Sequence, residues 1–333
     1  MGSDWEGRRK PGEVARAARA ERARLTRQLF ADQYGVASRR QLYAAGLSRW
    51  DVRAEVKAGR WRLTGPQTVS SKTGTLDQRG LWWTAVLEVG SQAALDGVTA
   101  LQAAGLKGFD EPVLHVSMPK SGRPRSWPGA RIHETRRRRP GDLTGAGLPR
   151  TRPAIAAVRG ALWAVSDRQA ALVLVMAVQQ RLVKVDALTT AMDDVKRHRR
   201  RPLLLTVLRD LRDGAESLGE LDFARLCRDA GLPEPDRQVL HDRPHGKAFV
   251  DAEWTEYGLI VEIDGIHHAE APALIADALR QNDLTNNRST VLRIPVLALR
   301  TEPARFVTQI RTALLARGWR GPATSEEVEQ TSH

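Results

Sequence analysis

The chain has 333 residues, 41% of them hydrophobic, and a formal net charge of +13 from 52 lysines and arginines against 39 aspartates and glutamates. This length predicts two or three domains, and the hydrophobic content is sufficient for folded cores. Its single cysteine, Cys227, excludes a disulfide framework and a zinc site built on cysteines. The positive charge favours a polyanion such as nucleic acid, although arginine-rich surfaces are also common in proteins from GC-rich genomes.

The sequence contains no run of about 18 apolar residues for a membrane span, and its start lacks the apolar core of a secretory signal. We therefore expect a cytoplasmic protein that associates with the nucleoid and has no membrane partner. The charged ends, 1–20 and 319–333, are predicted to be disordered, the first as a basic tail.

Region 21–72 has the pattern of a winged helix-turn-helix. Three helices are predicted, over Glu21–Tyr34, Arg39–Ala45 and Arg49–Ala58. Ser38 and Ser48 are the predicted N-caps of the second and third helices. Residues 60–63 and 68–70 then predict a two-stranded wing.

The third helix of this region is the predicted recognition helix. Arg49, Arg53 and Lys57 are four residues apart and share one helical face, with Trp50 beside them. Arg60 and Arg62, at the start of the wing, complete the predicted DNA contacts. The alternative is a small helical module that packs only against its own protein.

Region 73–215 is predicted to be an α+β, largely helical connecting region. Helices are expected over 78–106, with an interruption at Gly90, over 153–182, with an interruption at Ser166, and from Pro202 to Gly214. Two strands are expected over 113–118 and 130–134. Their histidines, His115 and His133, lack a second ligand at a recognisable spacing, which favours ordinary strand residues over metal ligands. Two basic runs, 136–139 and 196–201, follow a phosphate backbone or form solvated surface.

Region 216–318 contains acids within apolar runs. Asp251 lies in the run 249–254, and Glu262 and Asp264 end the run 259–264. A loop with Gly258 joins the two runs, which predicts adjacent strands. A carboxylate near a sheet core needs a partner, and a divalent cation commonly supplies one. The pattern therefore predicts a Mg²⁺ or Mn²⁺ site formed by Asp251, Glu262 and Asp264.

The elements predicted from residue 217 onward are a helix, three strands, a helix and a strand. This α-β-β-β-α-β order is typical of the PD-(D/E)XK nuclease class, and the segment resembles the very-short-patch-repair-endonuclease-like domain of actinobacterial proteins. The matching segments are 220–223, 231–233, Gln238, Asp251, 261–265, His268, 280–282 and 291–293. Residues 25–69 resemble the AbiEi-type antitoxin winged helix that commonly precedes this domain.

The resemblance implies a restriction-endonuclease-like α/β fold with Glu220, Asp251 and Glu262 as its acidic set. Its implied partner is DNA, and a toxin or a repair protein is a further one. Asp264 stands where the motif of this class has a lysine. A group that titrates near neutrality is still needed there, so we expect His268 to transfer the proton.

Four further residues are expected to contact the nucleic acid at this site. Arg280 and Arg293 are predicted to hold the phosphate. Gln281 and Asn282 are predicted to contact sugar or base edges. The alternative is a sheet edge with solvent-facing acids and an ion pair to Arg280.

The sequence thus predicts a metal-dependent DNA endonuclease or nickase that a winged helix delivers to duplex DNA. The alternative function is a non-catalytic DNA-binding regulator or antitoxin, in which the nuclease fold is a degenerate binding platform. RNA cleavage also remains open at this point.

Overall fold

The computed structural model describes residues 11–136, 138–213, 218–243, 246–264, 275, 277–282 and 291–321. The protein is mixed α/β and divides into two compact units. The first comprises the residues up to Ala103 and Asp110–Arg152, and the second comprises Ala104–Phe109 and the residues from Pro153 onward. Among the described helices, none is both long and apolar enough to cross a membrane.

The first unit begins with helices that enclose a three-stranded sheet. Its elements are α1 (Pro11–Asp32), β1 (Val36–Ser38), α2 (Arg39–Ala44), α3 (Arg49–Lys57), β2 (Arg62–Leu63) and β3 (Thr68–Ser70). β3 is central and antiparallel to both β1 and β2. The three helices and the hairpin are as predicted, whereas β1 is an added strand. Helix α1 also includes 11–20, which we expected to be disordered.

Capping boxes begin α2 and α3 at the predicted serines. The backbone N–H of Gln41 donates to the Ser38 hydroxyl, and the Gln41 side chain accepts from the Ser38 backbone. Ser48 and Asp51 make the same reciprocal pair at α3. Each box satisfies two N–H groups that the first turn leaves open, so it fixes where the helix starts.

An apolar core holds α3 against the hairpin. Its buried members are Phe30, Ala37, Leu42, Leu47, Val52, Trp61 and Val69. Phe30 from α1 meets Trp61, just before β2, edge to face with ring centroids 5.1 Å apart. Apolar burial therefore joins α1, α3 and the hairpin into one body.

A buried carboxylate adds polar contacts beneath α3. Glu55 is 4% exposed, and it accepts from Arg22 Nε at 2.8 Å and from Arg60 Nε at 2.6 Å. The hydrogen bond from Arg60 is the main cause that holds the pKa of Glu55 below its usual range. The Arg60 guanidinium therefore binds Glu55 through Nε and Nη2, and its predicted contact with DNA stays a prediction.

The first unit continues with a second small sheet. Its elements are α4 (Gln78–Val89), β4 (Ala94–Leu95), α5 (Gly97–Ala103), β5 (Leu114–Pro119) and β6 (Ala130–Thr135). β5 is central, antiparallel to β4 and parallel to β6. The two longer strands agree with the prediction. The helix predicted directly after Gly90 is wrong, because 94–95 pair with β5 before α5 begins.

The second unit combines helices with a four-stranded sheet. Its elements are α6 (Pro153–Trp163), α7 (Asp167–Gln179), α8 (Val185–Asp193), α9 (Arg201–Asp213), α10 (Leu218–Asp229), β7 (Asp236–Arg243), β8 (Gly246–Trp254), β9 (Leu259–Asp264), β10 (Val291–Pro295), α11 (Val296–Thr301) and α12 (Pro303–Ala316). Residues 277–282 are also helical. The predicted order of helices and strands from α10 to β10 is present, and α8 is an additional helix.

The sheet of the second unit has the order β10-β9-β8-β7. β7, β8 and β9 are antiparallel neighbours, and β10 is parallel to β9. Gly258, at φ 58°, closes the β8–β9 connection in the left-handed conformation that glycine adopts readily. Leu259, Val261 and Ile294 are 0% exposed, which defines the buried face of β9 and β10.

The helices α6–α9 pack in the same unit as this sheet. Asp210 on α9, 1% exposed, accepts from Arg300 Nε on α11 at 3.0 Å and from its Nη2 at 3.2 Å. A buried bidentate ion pair fixes both partners in position. The sequence suggested a domain boundary near 215–216, whereas the division into compact units falls at 152–153.

We expect Glu55→Gln to lower the Tm by about 4–8 °C, because it leaves Arg60 without a charged acceptor and Arg22 with Asp51 alone. Since the folded pKa of Glu55 is lowered, its contribution is present above the usual carboxyl pKa and is lost as the pH falls through the folded value. The Tm difference should therefore narrow in acid. Glu21→Gln, which breaks an exposed pair with Arg24, is the control, and an equal Tm loss in both variants would contradict this role.

Candidate functional site

The outer face of α3 carries an aromatic ring between two cations. The side chain of Trp50 is 59% exposed. The Arg49 guanidinium lies 4.6 Å from the ring centroid, and that of Arg53 lies 6.0 Å from it. Neither arginine has an ion-pair partner among the described residues. Both charges are therefore available to an anion, as cation–π contacts leave the guanidinium N–H groups free to donate.

A groove of about 420 Å³ lies beside this ring, between α2, α3 and β2. It is lined by Arg39, Arg49, Trp50, Val52, Arg53, Val56 and Leu63. The Nε of Arg39 is buried and has no hydrogen-bond partner in the structure. A buried donor without an acceptor is unfavourable, so Arg39 would gain a hydrogen bond if its guanidinium turned toward a ligand in the groove.

The structure sorts the predicted contacts of this region into two groups. Lys57 and Arg62 are exposed, as are Arg49, Trp50 and Arg53. Arg60 is bound to Glu55. Sequence reasoning missed Arg39, although its place directly after the N-cap Ser38 puts it at the start of α2, facing α3 and the hairpin. The exposed set remains a candidate surface for nucleic acid.

In the second unit, strand register brings the predicted acids together at the level of the backbone. Ala252 on β8 pairs with Val261 on β9. Asp251 and Glu262 are the next residues on these antiparallel strands, so both belong to the face opposite the buried Val261. Arg293 on β10 pairs with Glu262 and shares that face. The three residues therefore occupy neighbouring positions on one face.

Glu262 contacts Arg293 across the strands. Its Oε2 lies 3.4 Å from Arg293 Nε, and the two side chains are 22% and 52% exposed. The solvent-facing alternative placed the ion pair at Arg280, which instead lies 3.5 Å from Asp277 on its own helical stretch. Glu262 is thus a partly exposed carboxylate beside the long cationic side chain of Arg293. The carboxylate can bind a cation, and the guanidinium can bind a phosphate.

Several predicted site residues are described only by their backbone. Glu220 lies in α10, Asp251 in β8 and Asp264 at the end of β9. His268, with the neighbouring His267, lies outside the described residues. Among the side chains that the structure describes, no group of three or more His, Cys, Asp or Glu could hold a metal ion, and that search does not reach these five residues.

Asn282 has a different place from the one predicted. It is 1% exposed, its Nδ2 donates to the backbone carbonyl of Arg293 at 2.9 Å, and its Oδ1 accepts from the backbone N–H of Arg293 at 3.0 Å. A side chain enclosed in this way cannot contact a sugar or a base edge. Asn282 instead fixes the backbone of β10 at Arg293, whose own side chain projects from the sheet. Gln281 and Arg280 are exposed, as a nucleic-acid contact requires.

The two strand histidines of the first unit contact each other. Nδ1 of His115 and Nε2 of His133 are 2.8 Å apart, and the rings are stacked with centroids 5.0 Å apart. Burial, reinforced by His115, lowers the pKa of His133 to about 4. Burial also lowers the pKa of His115. One ring donates to the other in this pair, and Nε2 of His115 lies 3.7 Å from Glu111 Oε2. That the two histidines are ordinary strand residues stays a prediction.

Each of the two basic runs contributes an arginine to structural contacts. Arg138 donates through Nη2 to the backbone carbonyl and hydroxyl of Ser117 at 2.8 and 2.7 Å. Arg200 is 4% exposed and lies 2.8 Å from Asp167. These runs are therefore only in part available to a phosphate backbone.

Comparisons with known proteins do not assign a family. A scan against protein-family models finds no match, and a search of curated proteins finds none either. The resemblances to an antitoxin winged helix and to a repair-endonuclease domain thus stay predictions.

Asn282→Ala should lower the free energy of unfolding by about 1–3 kcal/mol, because it leaves a backbone N–H and a carbonyl of β10 without their partner. Gln78→Ala, the same change at an exposed amide in α4, is the control and should have little effect. Urea unfolding measures both variants. If Asn282→Ala unfolds at the wild-type urea concentration, its amide does not hold β10.

Proposed function

We propose that the protein is a metal-dependent DNA endonuclease or nickase that binds duplex DNA through α3 and the hairpin. The observation that carries the proposal is the register of β8, β9 and β10, in which Ala252 pairs with Val261 and Arg293 with Glu262. Continued by one residue, the β8–β9 pairing would bring Asp251 next to Glu262, on the face that Glu262 shares with Arg293. Strands β7, β8 and β9 follow α10, the helical stretch 277–282 comes next, and β10 follows it. This order is typical of PD-(D/E)XK nucleases. This order supports that fold for the second unit.

The helices, hairpin and caps of the first unit support a winged helix-turn-helix. In such modules the recognition helix enters the major groove with its N-terminal residues toward the bases. Arg49, Trp50 and Arg53 occupy this end of α3, and Lys57 follows on the same face. Exposed cations without internal acid partners bind phosphates with release of counterions, which supports DNA as the ligand.

The acidic positions on β8 and β9 suit a hard cation. Mg²⁺ prefers a few carboxylate oxygens and retains several waters. Glu262 is accessible, and Asp251 is next to it in register. The positive charge of Arg293, whose Nε lies 3.4 Å from Glu262 Oε2, would repel a cation bound there. The Arg293 side chain is half-exposed and can turn toward solvent. With this adjustment the residues fit a divalent cation.

Asp251 and Glu262, with Asp264 and Glu220 as further candidates, would hold Mg²⁺ or Mn²⁺. The cation supplies a more acidic water and offsets charge at the phosphate. Arg293, turned outward from Glu262, would hold a phosphate oxygen by a charge-assisted hydrogen bond. Arg280 is exposed for the same task. Proton transfer by His268 stays a prediction.

The triple variant Arg49→Ala, Arg53→Ala, Lys57→Ala should weaken duplex binding by roughly 10- to 1000-fold and make its salt dependence shallower. Fluorescence anisotropy over a salt series, in EDTA, measures both quantities. Arg225→Ala, Arg228→Ala, Arg305→Ala removes the same charge from exposed positions and is the control. Unchanged affinity in the α3 variant would reject α3 as the recognition helix.

Asp251→Asn and Glu262→Gln should each abolish cleavage, since both remove a carboxylate but keep the volume and leave DNA binding intact. The measurement is nicking of supercoiled plasmid with Mg²⁺ or Mn²⁺ and with EDTA. Glu256→Gln, the same type of change at an exposed turn residue, should cleave normally. Wild-type rates in either site variant would show that the site lies elsewhere.

A second candidate function is a non-catalytic DNA-binding regulator. The contact between Glu262 and Arg293, with Asp264 in place of the lysine of the nuclease motif, favours it. Tight duplex binding by a protein that shows no metal-dependent nicking of DNA or RNA would select this candidate.

A further inference from the structure

Trp50 is an unusual residue to expose on a cationic helix. At 59%, its indole is more exposed than any other large aromatic side chain that the structure describes in the first unit. In paired duplex DNA the faces of the bases are stacked on one another, so a protein ring meets only their edges, sugars or thymine methyl groups. An unpaired base presents a whole face, which stacks on an aromatic side chain.

The cations around Trp50 are placed to contact the sugar-phosphate backbone on either side of an unpaired nucleotide. Arg49 and Arg53 lie 4.6 and 6.0 Å from the ring centroid. These cation–π contacts keep the guanidinium groups near the ring and leave their N–H groups free to donate to phosphate oxygens. A base that stacks on the ring would displace a guanidinium from it onto the phosphate. A base would cover the exposed ring of Trp50, and the adjacent phosphates would compensate the charge of the two arginines.

The groove beside Trp50 has the dimensions and lining for the same ligand. Its volume is about 420 Å³, within the range of sites that enclose small molecules, about 300–1,000 Å³. Val52, Val56 and Leu63 supply an apolar wall, and Leu63 is 49% exposed. Arg39 offers a buried Nε that has no acceptor. A nucleobase matches this combination, since it has an apolar face and acceptors at its edge.

We propose that this groove binds an unpaired nucleobase, stacked on Trp50 and accepting from Arg39, so that the α3 surface prefers DNA with an unstacked base over fully paired duplex. This inference rests on the proposed binding of DNA by α3. It adds a ligand class that the winged-helix pattern does not contain.

The test uses the full-length protein in EDTA and measures affinity by fluorescence anisotropy for three labelled DNAs. One is a fully paired duplex, the second has one extra unpaired thymidine, and the third has an abasic nucleotide in place of that thymidine. Trp50→Leu removes the aromatic face, and Trp50→Phe retains one. Because Trp50 is exposed, both variants should melt at the wild-type temperature, which is checked first. Free thymidine monophosphate serves as competitor.

The wild type should bind the unpaired thymidine about 5- to 150-fold more tightly than the abasic DNA, the range for one base stacked on an aromatic residue. Trp50→Phe should keep most of this preference, and Trp50→Leu should lose it, the preference being the ratio of the affinities for the unpaired-thymidine and abasic DNAs measured within each variant. Arg39→Lys should reduce it, since lysine lacks the Nε donor. Competition by the mononucleotide at the same site would show that the base itself is recognised.

Equal affinity for the three DNAs, or a preference that survives in Trp50→Leu, would overturn the inference. If paired duplex still binds in that case, the proposed function of α3 stands and only the base pocket fails. If no DNA binds, both fail, and the arginine rim and apolar wall would then fit an acidic peptide.

Discussion

Buried carboxylates determine which arginines of this protein are available to a ligand. A charged acid inside a protein needs a partner, and an arginine is a frequent one. Glu55 takes Arg22 and Arg60, and Asp210 takes Arg300. The formal charge of +13 is therefore spread unevenly, and the arginines without an internal acceptor form the outward cationic surfaces. The number of cationic residues in the sequence therefore overstates the number of positive charges that a polyanion can contact.

The same contacts give α3 a fixed orientation. Glu55 lies on the inner side of the helix and joins it to Arg22 on α1 and to Arg60 before β2. One face of α3 is thereby held, and the opposite face carries Arg49 and Arg53 into solvent. A binding surface built on a helix that is fixed on its other side loses little conformational entropy when a ligand arrives. The contacts of Glu55 thus both hold α3 rigidly and leave its opposite face exposed.

Local signals in the sequence predicted much of this fold, and contacts distant along the chain account for the differences. Ser48 marked the start of α3, and Gly258 marked the β8–β9 turn, because caps and turns depend on a few neighbouring residues. Asn282 could not be placed in this way, since its partner is the backbone of a strand that begins nine residues later. Strands β1 and β4 are short and form only by pairing with distant strands, so neither shows alternation. In the candidate metal site, the acids could be recognised from the residues alone, whereas the register of β8, β9 and β10 depends on pairing between strands.

The contact between Glu262 and Arg293 has opposite consequences for the two functions considered. A carboxylate that remains paired with a guanidinium has little charge left for a cation, and the sheet face then offers at most a phosphate site. A carboxylate released from that pair has an uncompensated charge, and the guanidinium, 52% exposed, can follow a phosphate into solvent. In the proposed function, a DNA strand would supply that phosphate. The anion that draws Arg293 away would therefore also prepare Glu262 for the cation, which couples substrate binding to metal binding by simple electrostatics.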